Sequence, residues 1–249
     1  MIRSAARCQR GISAIEILIG LAVGLVLLVG MSSMVVGSRQ TSRAERNLQE
    51  MQATGRIAID VLSREVRKAG FRANRQLTLA DAFPLAASPF TAAAAVVVGM
   101  AGDSGVNVRF QGSGDTWTSD CLGNAVGANQ DIWEAVWLQG GQLQCRVRNL
   151  TAGTDQTLAL IPQVEAIAVT YGVDNDGDGF ADVYRTSATV ADWTRVASVK
   201  IQLRVVSTED ALAETPQPYL EADGTAVTPA DRRLRRNFAT VVALRNLLP

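Results

Sequence analysis

The run ISAIEILIGLAVGLVLLVGMSSMVVG, Ile12 to Gly37, is apolar throughout apart from Glu16 and a few serines. As an α-helix it spans about 39 Å, enough to cross a hydrocarbon core of about 30 Å. A secretory signal peptide has a shorter apolar core, about 7–15 residues, followed by a small-residue cleavage site. Only Val35-Val36-Gly37 offers a weak version of such a site, so the run reads as a membrane anchor. The residues before it, MIRSAARCQRG, carry Arg3, Arg7 and Arg10 and no acid. Arg39, Arg43 and Arg46 follow it as closely, so the basic flanks are nearly balanced. The leader and a downstream cysteine pair tip the orientation to N-terminus inside.

The rest of the 249-residue chain has an ordinary globular composition, 47% hydrophobic and 19% charged overall, with zero formal net charge. That length accommodates one head and its anchor. Zero net charge gives no hint of a nucleic-acid partner, because phosphate binding needs a concentrated basic field. Histidine is absent, which removes a Ser-His-Asp triad, a His-dependent proton transfer and a His-ligated zinc site. Phosphate-loop and nucleophile motifs are missing as well, so an enzyme is not expected, although catalysis by aspartates alone stays open in principle.

Glu16 is the informative residue of the anchor. A carboxylate within an apolar span costs about 2.5–3.5 kcal/mol on insertion scales, so it normally has a partner. It stands fifth after Gly11, counting Ile12 as first. RGISAIEILIGL resembles the type IV prepilin family, in which a basic leader ends in Gly and an apolar helix follows with Glu at its fifth position. Ile12 departs from the Phe usual there. The resemblance implies that a prepilin peptidase cuts between Gly11 and Ile12, that Ile12 becomes N-methylated, and that Glu16 pairs with a neighbouring subunit's N-terminal amine during assembly. Gly20 and Gly24 add a pair of small residues four apart. They either allow close helix approach or reflect the general abundance of glycine in membrane helices.

After Gly37 the text turns polar yet keeps a helical period. Leu48, Met51, Gly55, Ala58 or Ile59, Leu62 and Val66 recur every three or four residues, and Gly70 is the expected stop. Ile12 to Ala69 is therefore expected to form one helix about 87 Å long. Eight basic residues against four acids between Ser38 and Arg72 read as a solvated face, with lipid headgroups or a filament as the other option. QATGRIAIDVLSREVRKAGF, Gln52 to Phe71, is similar to the matching stretch of PilW-like minor pilins, above all in Gly55 to Arg64. Ile57, Ile59, Leu62 and Val66 are expected to be packing residues.

From Asn74 helical periodicity fades. LADAFPLAASPFTAAAA predicts a loop or short helix. Strand-like alternation follows at Val106-Val108-Phe110, Leu143-Cys145-Val147, Ile167-Val169-Tyr171, Val199-Ile201-Leu203-Val205 and Phe238-Thr240-Val242-Leu244. The expected class is α+β, type IV pilin-like, with a long N-terminal helix packed on an antiparallel sheet. The expected divisions are a leader (1–11), a membrane-spanning half-helix (12–37), an amphipathic half-helix (38–70) and a β-rich extracytoplasmic head (71–249). Thr208 to Arg233 reads as an exposed excursion before the last strand. Leu244-Arg245-Asn246 resembles the end of the family's C-terminal strand.

Of three cysteines, Cys8 falls in the leader. Cys121 and Cys145 then form an isolated pair in an exported region, expected to be a disulfide in an oxidising compartment. PilW-like heads also carry cysteines at these positions, and two free buried thiols are the other reading.

The sharpest chemical signal is Asp174-Asn175-Asp176-Gly177-Asp178-Gly179-Phe180-Ala181-Asp182. Alternate carboxylates with glycines between them match a Ca²⁺ loop, with Asp174, Asp176, Asp178 and Asp182 as side-chain ligands and the Phe180 carbonyl among them. The twelfth-position Glu of an EF-hand is replaced by Arg185. An acidic hairpin turn without metal is the plain alternative.

The resemblance implies a minor pilin of a type IV pilus, acting in pilus assembly, priming or adhesion. Its implied partners are other pilins and minor pilins, the prepilin peptidase, an inner-membrane assembly platform and membrane lipid. Its implied place is the bacterial inner membrane with a periplasmic head, then the pilus surface. A type II secretion pseudopilin shares the same anchor logic. A membrane-tethered, calcium-dependent binding protein that never assembles is a separate option.

Overall fold

Residues 13–86, 88–115 and 118–247 are described in the structure, a computed structural model. The leader through Gly11, together with Ile12, and so the expected cleavage and methylation site, lies outside them. The described residues fall into two compact units that meet between Arg46 and Asn47, within a single helix, α1 (Ala14–Lys68).

In the first unit the large apolar side chains from Ile15 to Val36 are all exposed. This helix is long and apolar enough to cross a membrane by length and composition. Apolar surface of that extent has no place in water, which is why the sequence reads as an anchor.

The second unit begins with the amphipathic part of α1. Met51, Gly55, Ala58, Leu62 and Val66 are buried in one contiguous core, the face expected from the three-to-four spacing. Ile59 is partly buried, whereas Ile57 is 57% exposed and is not the packing residue expected. Ile57 is two positions from both Gly55 and Ile59, and residues two apart on a helix point to different faces. The helix stops where Gly70 takes φ 73°, the left-handed conformation that glycine adopts without a Cβ penalty. Asn246 completes this end: its amide donates to the carbonyls of Arg67 (3.0 Å) and Ala69 (3.1 Å). One turn, α2 (Leu79–Ala82), follows, with Thr78 accepting the Asp81 N–H as its N-cap.

Two antiparallel sheets complete the core. The first has five strands in sequential order: β1 (Val97–Gly99), β2 (Gly105–Gln111), β3 (Asp131–Gln139), β4 (Gln142–Asn149) and β5 (Thr154–Pro162). The second contains β6 (Val164–Val173), β7 (Val183–Arg185), β8 (Val196–Val206) and β11 (Arg235–Ala243), ordered β11-β8-β6-β7. Val199, Ile201, Leu203 and Val205 of β8 and Ile167, Val169 and Tyr171 of β6 join the α1 stripe in the core, as their alternation requires. The expected α+β arrangement is present, with two sheets rather than one.

Thr208 to Arg233 is exposed or half-buried throughout, as expected, and it is also anchored. It holds a small hairpin, β9 (Tyr219–Leu220) and β10 (Ala226–Val227), tied to the second sheet by ions. Arg204 of β8 donates to Glu165 (2.7 Å) and to Glu221 (3.0 and 3.2 Å), and its guanidinium lies 4.0 Å from the Tyr219 ring centre. Arg235 of β11 bonds both Glu165 (2.8 Å) and Asp231 (2.7 Å). Bidentate Arg–carboxylate pairs stacked on an aromatic ring hold a polar segment that no hydrophobic face would hold.

Candidate functional site

Three places carry chemistry: the start of α1, a buried ionic node under its end, and the loop between β6 and β7.

At the start of α1, Ser13 and Glu16 form a reciprocal cap. The Ser13 N–H donates to the Glu16 carboxylate at 3.1 Å, and the Ile15 N–H lies 3.4 Å from Ser13 Oγ. This is the Ser-x-x-Glu capping box, in which each side chain satisfies a main-chain donor of the other's turn. Glu16 therefore has a local partner, which spacing within the anchor did not reveal, although the S-x-x-E text carries the signal.

The second place escaped the sequence reading. Lys68, in the last turn of α1, donates to Glu134 (3.0 Å) and to the Ser119 carbonyl (3.0 Å), contacts Glu65 and lies 4.6 Å from the Phe110 ring centre. Glu134 is 0% exposed in the middle of β3 and also accepts the Cys121 N–H at 2.8 Å. Burial pushes the Glu134 carboxyl well above the usual carboxylate range, Lys68 pulls it down, and neighbouring Glu65 raises it again. Cys121 and Cys145 are joined as a disulfide, with Cα atoms 6.5 Å apart, so the expected pairing is present. The bridge, Glu134 and Lys68 thus tie the 118–130 loop, the five-stranded sheet and the helix end at one point. A buried carboxylate is tolerable only beside such a cation.

The third place is the acidic loop. Β-pairing ends at Val173↔Val183, and the Asp182 N–H closes the hairpin on the Val173 carbonyl at 3.0 Å. Asp174 accepts the N–H groups of Gly177 (2.6 Å) and Gly179 (2.8 Å) on its two oxygens. These bonds, Gly177 first, hold its carboxyl below the usual carboxylate range. Gly177 and Gly179 sit at φ 84° and 88°, where only glycine is unstrained. Asp182 accepts the Asn175 N–H (2.7 Å), and the Arg195 guanidinium donates to the Asn175 carbonyl (2.8 Å). Carboxylate oxygens of Asp174, Asp176 and Asp182 lie within 4.8 Å of one another. Asp178 is outside that group and accepts the Phe180 N–H at 2.8 Å instead. The Phe180 side chain is 75% exposed. Of the five expected ligand residues, the structure brings three carboxylates together. Each oxygen that takes one N–H keeps a second lone pair, so an all-oxygen set of this size fits a hard divalent cation and no soft one.

Among the described residues, one apolar helix of membrane-spanning length is followed by a disulfide-bonded α+β head of two antiparallel sheets. The family described as Type IV Pilus-assembly protein W, PilW, matches residues 129–246. This stretch runs from β3 to the Asn246 cap, and over it the chain is PilW-like. A type IV-like pilin from Thermus thermophilus is similar in structure, with a TM-score of 0.49 and 18% identity, over 80% of this chain and 98% of that one. No curated protein matches the chain.

Proposed function

We propose that the chain is a minor pilin: an anchored, non-enzymatic subunit that is processed at Gly11–Ile12, assembles with other pilins and presents its head outside the inner membrane. The observation that carries this reading is the pairing of an exposed apolar helix, opened by Glu16, with a PilW-like head. Assembly, priming and possession of an adhesive head follow from the same reading, as do the prepilin peptidase and an inner-membrane assembly platform as partners. Its test is the mass of the mature N-terminus. Cleavage after Gly11 with one added methyl group on Ile12 is the expected result. A chain retaining Cys8, or beginning near Ser38, overturns it. A pseudopilin of a type II secretion system would be processed in the same way; recovery of the chain from sheared surface pili, rather than from the cell envelope alone, separates the two.

The proposal includes Ca²⁺ in the 174–182 loop, held by Asp174, Asp176 and Asp182, with Asp178 and the Phe180 carbonyl as further oxygen donors. The three-carboxylate group supports it. In an exported head such an ion would staple the β6–β7 turn.

A further inference from the structure

A strand at the edge of a sheet presents unpaired N–H and C=O groups, and folded proteins ordinarily blunt such edges. Three of the four edges of the two large sheets are blunted. β1 and β7 have three residues each. β5 carries Asp155, a register shift opposite Leu143/Gln144 and a terminal proline, Pro162. The fourth edge, β11, has nine residues in unbroken register with β8. From Asn237 to Ala243 it contains no charge and no proline.

The direction of its main-chain groups follows from the ladder. Ser207 N–H donates to the Leu234 carbonyl and Leu244 N–H to the Ala197 carbonyl. Both pairs continue the β11–β8 register, and in an antiparallel ladder the bonded residues alternate. Even-numbered residues therefore bond to β8, while Asn237, Ala239, Val241 and Ala243 aim their N–H and C=O groups away from the sheet. Among the described residues, no hydrogen bond reaches these outward groups.

Beside this edge runs a groove of about 310 Å³ between β11 and α1. Ile59 and Phe238 form its apolar middle, and Arg56 and Arg67 lie on its helix wall. Neither guanidinium has an ion-pair partner among the described residues, whereas Asp60 is engaged by Arg64 at 2.7 Å. Eleven residues separate the two arginines, three turns or about 16 Å along one helix face, the length of about five residues of strand.

We propose that β11 is a docking edge for an extended segment of a different polypeptide, uncharged and β-branched in its middle and acidic towards both ends. The bare main-chain row supplies pairing, the Ile59–Phe238 floor receives alternate side chains, and Arg56 and Arg67 receive the acids. A second copy of this chain is the wrong occupant. Its own Arg235 and Arg236 would fall at the Arg67 end if antiparallel and at the Arg56 end if parallel, placing like charges together.

The test uses the full chain in detergent and three synthetic heptapeptides: EVTVTVE, its lysine-ended counterpart KVTVTVK, and EVTVTVE N-methylated at every main-chain amide. Amide hydrogen exchange is read at residues 237–243. At millimolar EVTVTVE, exchange at Asn237, Ala239 and Val241 should slow about tenfold or more, with the even-numbered amides unchanged. The lysine-ended and N-methylated peptides should not produce this. In Arg56→Glu/Arg67→Glu, preference should pass to KVTVTVK, and Ala239→Pro, which deletes an outward N–H, should weaken the response. Three outcomes overturn the proposal: odd-numbered amides already as slow as even ones in the free chain, no slowing with EVTVTVE, or equal slowing with the N-methylated peptide. Protection that rises with protein concentration alone would assign the edge to self-pairing and overturn it too.

Discussion

Lys68 Nζ lies 2.9 Å from Glu134 Oε2, a helix-end cation set against a wholly buried carboxylate of β3. Removing the cation leaves that charge without compensation in the core. Lys68→Met should therefore destabilise the head by about 3–5 kcal/mol in denaturant titration. Replacing all three ionic partners, Lys68→Met with Glu134→Leu and Glu65→Leu, should recover part of the loss, the Cys121 N–H having lost its acceptor. A single variant as stable as the parent would show that Glu134 does not need Lys68.

Stability should respond to pH in two opposite senses. The Glu134 carboxyl is raised in the fold, so its contribution is present in full below the unfolded value of about 4.3 and is lost as pH rises through the raised folded value. Asp231, bonded to Arg235, is lowered to about 2, so its contribution is present above the unfolded value of about 3.9 and is lost as pH falls towards 2. Glu134→Gln should flatten the alkaline-side decline and leave the acid limb in place. Asp231→Asn should soften the acid limb, which Glu165, Asp174 and other lowered carboxyls also carry, and leave the alkaline side in place. Melting temperatures across pH 2–9 distinguish them, and a profile unchanged in both variants rejects the assignment.

Gly55 should not tolerate a side chain. A Cβ there would run into the ring of Phe238, so Gly55→Ala is expected to lose about 1–3 kcal/mol despite alanine's better helix propensity. Phe238→Leu in the same chain should restore part of the loss. A more stable Gly55→Ala would mean that propensity outweighs the contact.

Glu16 is a capping residue in this fold and an assembly residue in the proposed function, and glutamine separates the roles. Glu16→Gln keeps the capping partner and discards the charge, while Glu16→Ala discards both. Membrane insertion should be intact or improved in each. If charge pairing drives assembly, both variants fall out of filaments equally. Normal filament incorporation of Glu16→Gln would leave the cap as its only task.

For the 174–182 loop, added Ca²⁺ should raise the melting temperature of the full chain by mass action, with affinity of about 10⁻⁵–10⁻³ M and a much smaller effect of Mg²⁺. Asp176→Ala and Asp182→Ala should each remove the gain, and Asp178→Ala, outside the three-carboxylate group, should weaken it less. Melting identical in millimolar Ca²⁺ and excess chelator would identify the loop as an acidic turn.

The anchor, the buried stripe of α1 and five of the strands were legible in the sequence because each reports its own burial: apolar without break, every three to four residues, or every second residue. β3 did not, since Trp133 and Ala135 pack in one cluster while Ile132 and Val136 pack in another, so both faces are buried and the alternation vanishes. β5 failed for the opposite reason: its first six residues are exposed on both faces. The acidic loop was readable as a pattern of residue types, yet which three aspartates converge was set by the two glycine turns. Lys68 meets Glu134 across 66 residues, and Asn246 meets Arg67 across 179. Such pairs have no local period. They exist only once strand order and register bring the elements together, and the same ordering leaves β11 with one bare edge.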